Sequence, residues 1–121
     1  MALQFIRESA NDFTITAYDA GNVRVGEKTF SESISLSHSV LPQIWQATPP
    51  LDAAAMAAGT QIDAEIVIIG SGKTHVFPKP EALRPLIDAR IGFEVMDSRA
   101  ACRTYNVLLA EGRKVGLLLL V

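Results

Sequence analysis

Along the first part of the chain, apolar and polar residues take turns. Phe13-Thr14-Ile15-Thr16-Ala17-Tyr18 is rich in β-favouring side chains, and Asp19-Ala20-Gly21-Asn22 is a turn cluster. Val23 and Val25 share a face across Arg24, which predicts a hairpin. After a second turn at Gly26-Glu27-Lys28 come Thr29-Phe30 and the alternating Ile34-Ser35-Leu36. Such alternation belongs to antiparallel strands with one wet face. Ser31, Ser33, Ser35, Ser37 and Ser39 fall on every second residue, and the reading preferred to a modification tract is the solvent face of a strand. Leu41, Ile44 and Trp45 follow, and Pro42 makes this an edge strand at best.

Thr48-Pro49-Pro50 breaks that pattern, and the segments beyond it are longer and more continuously apolar. Leu51 to Ala58 predicts a helix of about two turns, stopped by Gly59. Ala64 to Ile69 is a nearly unbroken apolar run ending in glycine, the mark of a parallel strand covered on both faces. Glu81 to Arg90 carries Leu83, Leu86 and Ile87 at helical spacing. Pro85 costs a hydrogen bond if the helix begins near Pro80 and sits harmlessly in the first turn if it begins near Ala82. Gly92 to Met96 predicts a short buried strand, because Phe93, Val95 and Met96 are apolar and β-compatible. Ser98 is a suitable N-cap for a helix with Cys102, Tyr105, Leu108 and Leu109 on one face, ended by Gly112. Lys114 to Val121 closes the chain as another buried strand, either central or at an edge where a second copy would pair with it.

The expected fold is therefore α/β: a single compact domain spanning 1–121, with a β-rich antiparallel N-terminal half joined to a βαβαβ C-terminal half. The size of 121 residues suits one domain. Composition adds exclusions. A net charge of −2 offers no basic footprint for nucleic acid. Cys102, the lone cysteine, rules out an internal disulfide and fits a reducing compartment. His38 and His75 lack ligand-spaced partners, so neither a metal nor a cofactor is expected. Met1 to Ala20 has no apolar run before a small-residue cleavage site, and Val115 to Val121 falls well short of the about 20 residues a membrane helix needs. A cytoplasmic protein without a transmembrane segment is the expectation.

In an open α/β sheet, ligands bind beyond the carboxyl ends of parallel strands. Two such ends are Gly70-Ser71-Gly72-Lys73 and Asp97-Ser98-Arg99, which a parallel arrangement sets side by side. Gly72-Lys73-Thr74 resembles the end of a phosphate loop, but Val67 stands where that motif needs a glycine, and Pro78 and Pro80 replace its helix. Arg99 is placed unfavourably, a cation at the positive end of a helix with Arg103 one turn on. Either Asp97 or Glu94 pairs with it, or an anion sits there. Glu94 is a carboxylate in a strand expected to be covered, so it faces a cleft or a solvated rim. Cys102 and Tyr105 lie on the apolar stripe and are read as core, while Asn106 faces away from it. No residue qualifies as catalytic. The candidate ligand set is Gly70, Ser71, Gly72, Lys73, Glu94, Ser98 and Arg99, suited to a small anion.

Gly70-Ser71-Gly72, Gly92-Phe93-Glu94-Val95-Met96-Asp97, Ala100-Ala101-Cys102-Arg103-Thr104-Tyr105-Asn106, and Glu111 with Arg113 resemble small single-domain proteins related to mitochondrial complex I assembly factor three. The resemblance covers most of the chain and is specific in its second half. It implies an α/β fold with a β-rich N-terminal part and, for mitochondrial members, a role in assembling a respiratory complex by protein contact. The expected function is a non-catalytic interaction or assembly module with a protein partner. The alternative is an anion-binding protein or enzyme with its site at the strand ends.

Overall fold

A computed structural model describes residues 12–121. Three short strands, β1 (Ile15–Asp19), β2 (Asn22–Val25) and β3 (Lys28–Phe30), form an antiparallel sheet in sequence order. A second sheet has the order β5-β4-β8-β6-β7, from β4 (Ile34–Ser37), β5 (Gln43–Ile44), β6 (Ile66–Gly70), β7 (Gly92–Met96) and β8 (Val115–Leu119). β6 pairs in parallel with both β7 and β8, whereas β4 runs antiparallel to β8 and β5. The antiparallel half thus divides: its first three strands make their own sheet and its last two extend the large one.

The larger sheet is covered on both faces, which explains the unbroken apolar runs of β6 and β8. Ile68, Leu117 and Leu119 point to the side holding the small sheet and helix α3 (Ser98–Ala110). Val67, Ile69 and Leu118 point to the other, where α1 (Ala53–Met56), α2 (Arg84–Asp88) and two 3₁₀ turns pack. Trp45 closes this second layer, its indole N–H donating to the Ala55 carbonyl at 2.8 Å. Pro85 falls in the first turn of α2, where its missing amide is harmless.

Of the two places open to the last strand, β8 takes the central one, flanked by β4 and β6, so it offers no edge to a second copy. Several local expectations are corrected. β7 is not buried on both faces but lies at an edge, and of the settings open to Glu94 the solvated rim is the one it takes. Ser35 and Ser37 are buried rather than solvent-facing, because β4 has a neighbour on each side and layers above and below. The Ser37 hydroxyl accepts from the amides of Ser39 and Val40, and that of Ser33 from Val121. Ile87, expected in the core beside Leu86, is 49% exposed.

Candidate functional site

α3 is capped one residue earlier than expected. Asp97, not Ser98, is the N-cap, its carboxylate accepting from the Ala100 amide at 2.9 Å. Both residue types cap well, and the tertiary structure decides between them by using the Ser98 hydroxyl elsewhere. That hydroxyl is fully buried; it donates to the Leu120 carbonyl at 2.6 Å and accepts from the Gly72 amide at 2.9 Å. The Ser98 amide returns to the Gly72 carbonyl at 2.8 Å, and the Leu120 amide donates to Gly70 at 3.1 Å. One serine therefore fastens the ends of β6 and β8 to the start of α3.

The glycines make that corner possible. A Cβ at Gly70 would sit 2.7 Å from Leu119 Cδ1, 2.8 Å from Ser98 Oγ and 3.0 Å from Ser98 Cα, closer than carbon tolerates. Gly72 has φ +103°, in the left-handed region that favours glycine. Ser71 completes the turn: its amide donates to Met96 at 2.8 Å, and its hydroxyl donates to Thr74 at 2.7 Å while accepting from Val76 at 3.0 Å.

The structure thus brings Gly70, Ser71, Gly72 and Ser98 together and leaves Lys73, Glu94 and Arg99 on the surface. Arg99 turns neither to Asp97 nor to Glu94. Its guanidinium reaches back to β1, 3.4 Å from the Tyr18 carbonyl, 5.5 Å from the Tyr18 ring centre and 3.9 Å from Asp19. An ion pair this exposed is a weak tie; the aromatic face adds a second attraction. Around the first turn of α3, Asp97 already occupies the Ala100 amide, and its own carbonyl takes that of Ala101 at 2.9 Å. An anion seated there would have to displace a carboxylate held close by.

Further along α3, burial pushes the Cys102 thiol up to about 12, against a smaller opposing pull from Arg99 and Arg103. It stays protonated at neutral pH and serves as core. Burial also raises the Tyr105 phenol, whose O–H donates to the Phe13 carbonyl at 2.7 Å. Asn106, expected off the apolar stripe, is bonded within the fold: its amide accepts from the Ile15 N–H at 3.0 Å and donates to the Ile15 carbonyl at 2.8 Å, holding β1 against the helix.

The feature that sequence reasoning missed lies beside the serine corner. A cleft of about 420 Å³ opens between the Pro50-Leu51 segment, the Val76-Phe77 loop and the end of β8, with Ser71 and Leu120 in its lining. Val76 is 58% exposed and Phe77 61%. Their signal was faint but present: an apolar pair between Lys73 and Lys79 that no strand or helix period accounts for. The cleft lies near the carboxyl ends of parallel strands, where an α/β sheet places its sites, but its walls are mostly apolar. Among the described residues no three histidine, cysteine, aspartate or glutamate side chains are grouped to hold a metal, and no helix is long and apolar enough to cross a membrane.

A family model described as "Protein of unknown function (DUF498/DUF598)" matches residues 15–120. A crystal structure from Bordetella parapertussis superposes with a TM-score of 0.82 at 35% identity, covering 88% of this chain and 93% of that one. The "13 kDa major membrane protein" of Francisella tularensis subsp. holarctica (strain LVS) is 34% identical over 56 residues, 46% of each chain. NADH dehydrogenase (ubiquinone) 1 alpha subcomplex assembly factor 3 of Bos taurus is 40% identical over 52 residues, 43% of this chain and 28% of that protein. The matched stretch spans less than half the length of either curated relative, and the likeness to the assembly factor is shorter than the expected resemblance.

Proposed function

The chain belongs to the family described as protein of unknown function (DUF498/DUF598), and on that premise we propose that it is an interaction module, acting by contact with another polypeptide rather than by a reaction of its own. One observation carries the reading: the apolar cleft with Val76 and Phe77 standing exposed at its wall. Covering the exposed three-fifths of this phenylalanine and this valine is worth about 1–2 kcal/mol each, enough for the pair to contribute an anchor as aromatic hot spots do. The polar corner beneath gives that surface a rigid base, since the hydroxyls of Ser71 and Ser98 are both bonded inside the protein. The partner that fits presents an apolar side chain to the cleft. The name of the bovine relative points to assembly of respiratory complex I, and we take subunits of a membrane complex, met from the cytoplasmic side, as the class of partner to test first.

Phe77→Ser tests this. The side chain is largely solvated, so unfolding free energy should move by less than about 0.5 kcal/mol. Copurification of membrane-complex subunits from native lysate should fall at least about tenfold. Equal recovery with the wild type and the variant would remove the cleft from the account.

A further inference from the structure

β7 has β6 as its only strand neighbour among the described residues, and pairs with it without irregularity from Gly92 to Met96. The Gly92 amide donates to Glu65 at 3.0 Å, and Met96 accepts from Ser71 at 2.8 Å. Alternate residues of a strand in a parallel ladder bond to the same neighbour, so Gly92, Glu94 and Met96 turn their main chain to β6. Phe93 and Val95 turn theirs outward, and their two amides and two carbonyls have no main-chain partner among the described residues. Exposed edges are usually blunted by proline, lysine, a bulge or brevity. The opposite edge follows that rule, since β5 is two residues long and comes straight after Pro42. β7 carries a single charge at its middle, Glu94.

That charge selects the occupant. A second copy adding antiparallel in the register that satisfies all four outward groups would set Phe93 against Val95 and Glu94 against Glu94. The two carboxylates would meet in the more closely spaced kind of cross-strand pair, where like charges are destabilising. A strand with a cation at that position makes the same four hydrogen bonds with attraction in place of repulsion. Side chains alternate across the strand, so residues flanking the cation fall on the face where Phe93 and Val95 pack half-buried against the second core. We propose that β7 is a strand-addition site for an extended segment of a different polypeptide with the pattern apolar–basic–apolar, its Lys or Arg opposite Glu94. The site is separate from the cleft and stands or falls independently of it.

The test uses two blocked pentapeptides, acetyl-Thr-Val-Arg-Val-Thr-amide and the same peptide with Glu in place of Arg. Amide exchange followed by NMR reads the site directly. The arginine peptide should slow exchange at Phe93 and Val95 by at least about fivefold, with the glutamate peptide clearly weaker. Glu94→Lys should weaken the arginine peptide about fivefold and reverse the preference, a swap that a purely structural role would not produce. Phe77→Ser should leave all of this unchanged. No slowing at Phe93 and Val95 with the arginine peptide overturns the proposal, as does an unchanged preference in Glu94→Lys. Slowing that appears without peptide and grows with protein concentration also overturns it, by showing a second copy at the edge.

Discussion

Tyr105→Ala should lower the unfolding free energy by about 3–5 kcal/mol, the usual cost of removing a large aromatic from a packed core. Tyr105 is fully inaccessible and stands in the cluster where α3 meets both sheets. The loss has two parts. The missing ring leaves a void lined by side chains of the small sheet and of the large one, and the missing hydroxyl leaves the Phe13 carbonyl without its 2.7 Å donor. Tyr105→Phe separates them, because it keeps the ring and should cost only about 1 kcal/mol. Chemical denaturation followed by circular dichroism measures both. Domains of this size hold about 5–15 kcal/mol in total, so the alanine variant should be conspicuously fragile. A loss below about 1 kcal/mol would mean that the small sheet is not anchored through this helix.

Ser98→Ala should cost about 2–3 kcal/mol although it removes one oxygen. The hydroxyl serves two main-chain groups at once, the Leu120 carbonyl and the Gly72 amide, and the site is buried. Leaving a buried donor or acceptor unpaired costs about 1–3 kcal/mol each. Because Ser98 and Gly70 touch, Gly70→Ala should destabilise in its own right, and its effect should not add simply to that of Ser98→Ala. Denaturant midpoints of the two single variants and the double variant measure this. A Ser98→Ala protein as stable as the wild type would show that the corner is held by something other than this serine.

Ser98 also shows how far the sequence can be read. That a helix starts there was legible, since Ser98 is a capping residue type and an apolar stripe follows. That Asp97 takes the cap in its place was not, because the answer depends on a carbonyl at Leu120, distant in sequence. β6, α3 and β8 were legible for a related reason: a strand buried on both faces and a helix buried on one leave different periods in the chain. The place of β7 left no such trace. Phe93, Val95 and Met96 are as apolar as a central strand would require, and period alone does not record whether a strand has one neighbour or two. The serines of β4 misled in the opposite sense, since alternation normally means a wet face and here both side chains are buried in a covered sheet, with the Ser37 hydroxyl bonded inside it.

The candidate site divides along the same line. Proximity of the Gly70–Gly72 turn to Ser98 followed from topology, because parallel strands end at one edge. The partner of Arg99 did not, because it comes from the Tyr18-Asp19 end of β1 in the other sheet. The cleft was hidden for a third reason. Val76 and Phe77 lie in a loop between a glycine turn and prolines, where hydrophobic residues have no period to betray their direction. Two exposed apolar side chains in such a loop are informative only once the structure shows that they flank a cavity.

The central claim is that the protein works by contact through that cleft, and site-specific photocrosslinking tests it most directly. A benzophenone amino acid would replace Phe77 in one variant and Val107, 56% exposed on the outer side of α3, in another. After irradiation in living cells, position 77 should yield a discrete adduct with a membrane-complex subunit, competed away by wild-type protein but not by Phe77→Ser. Position 107 should yield none. Crosslinking at position 77 no greater than at position 107, or an adduct indifferent to the wild-type competitor, would contradict the account.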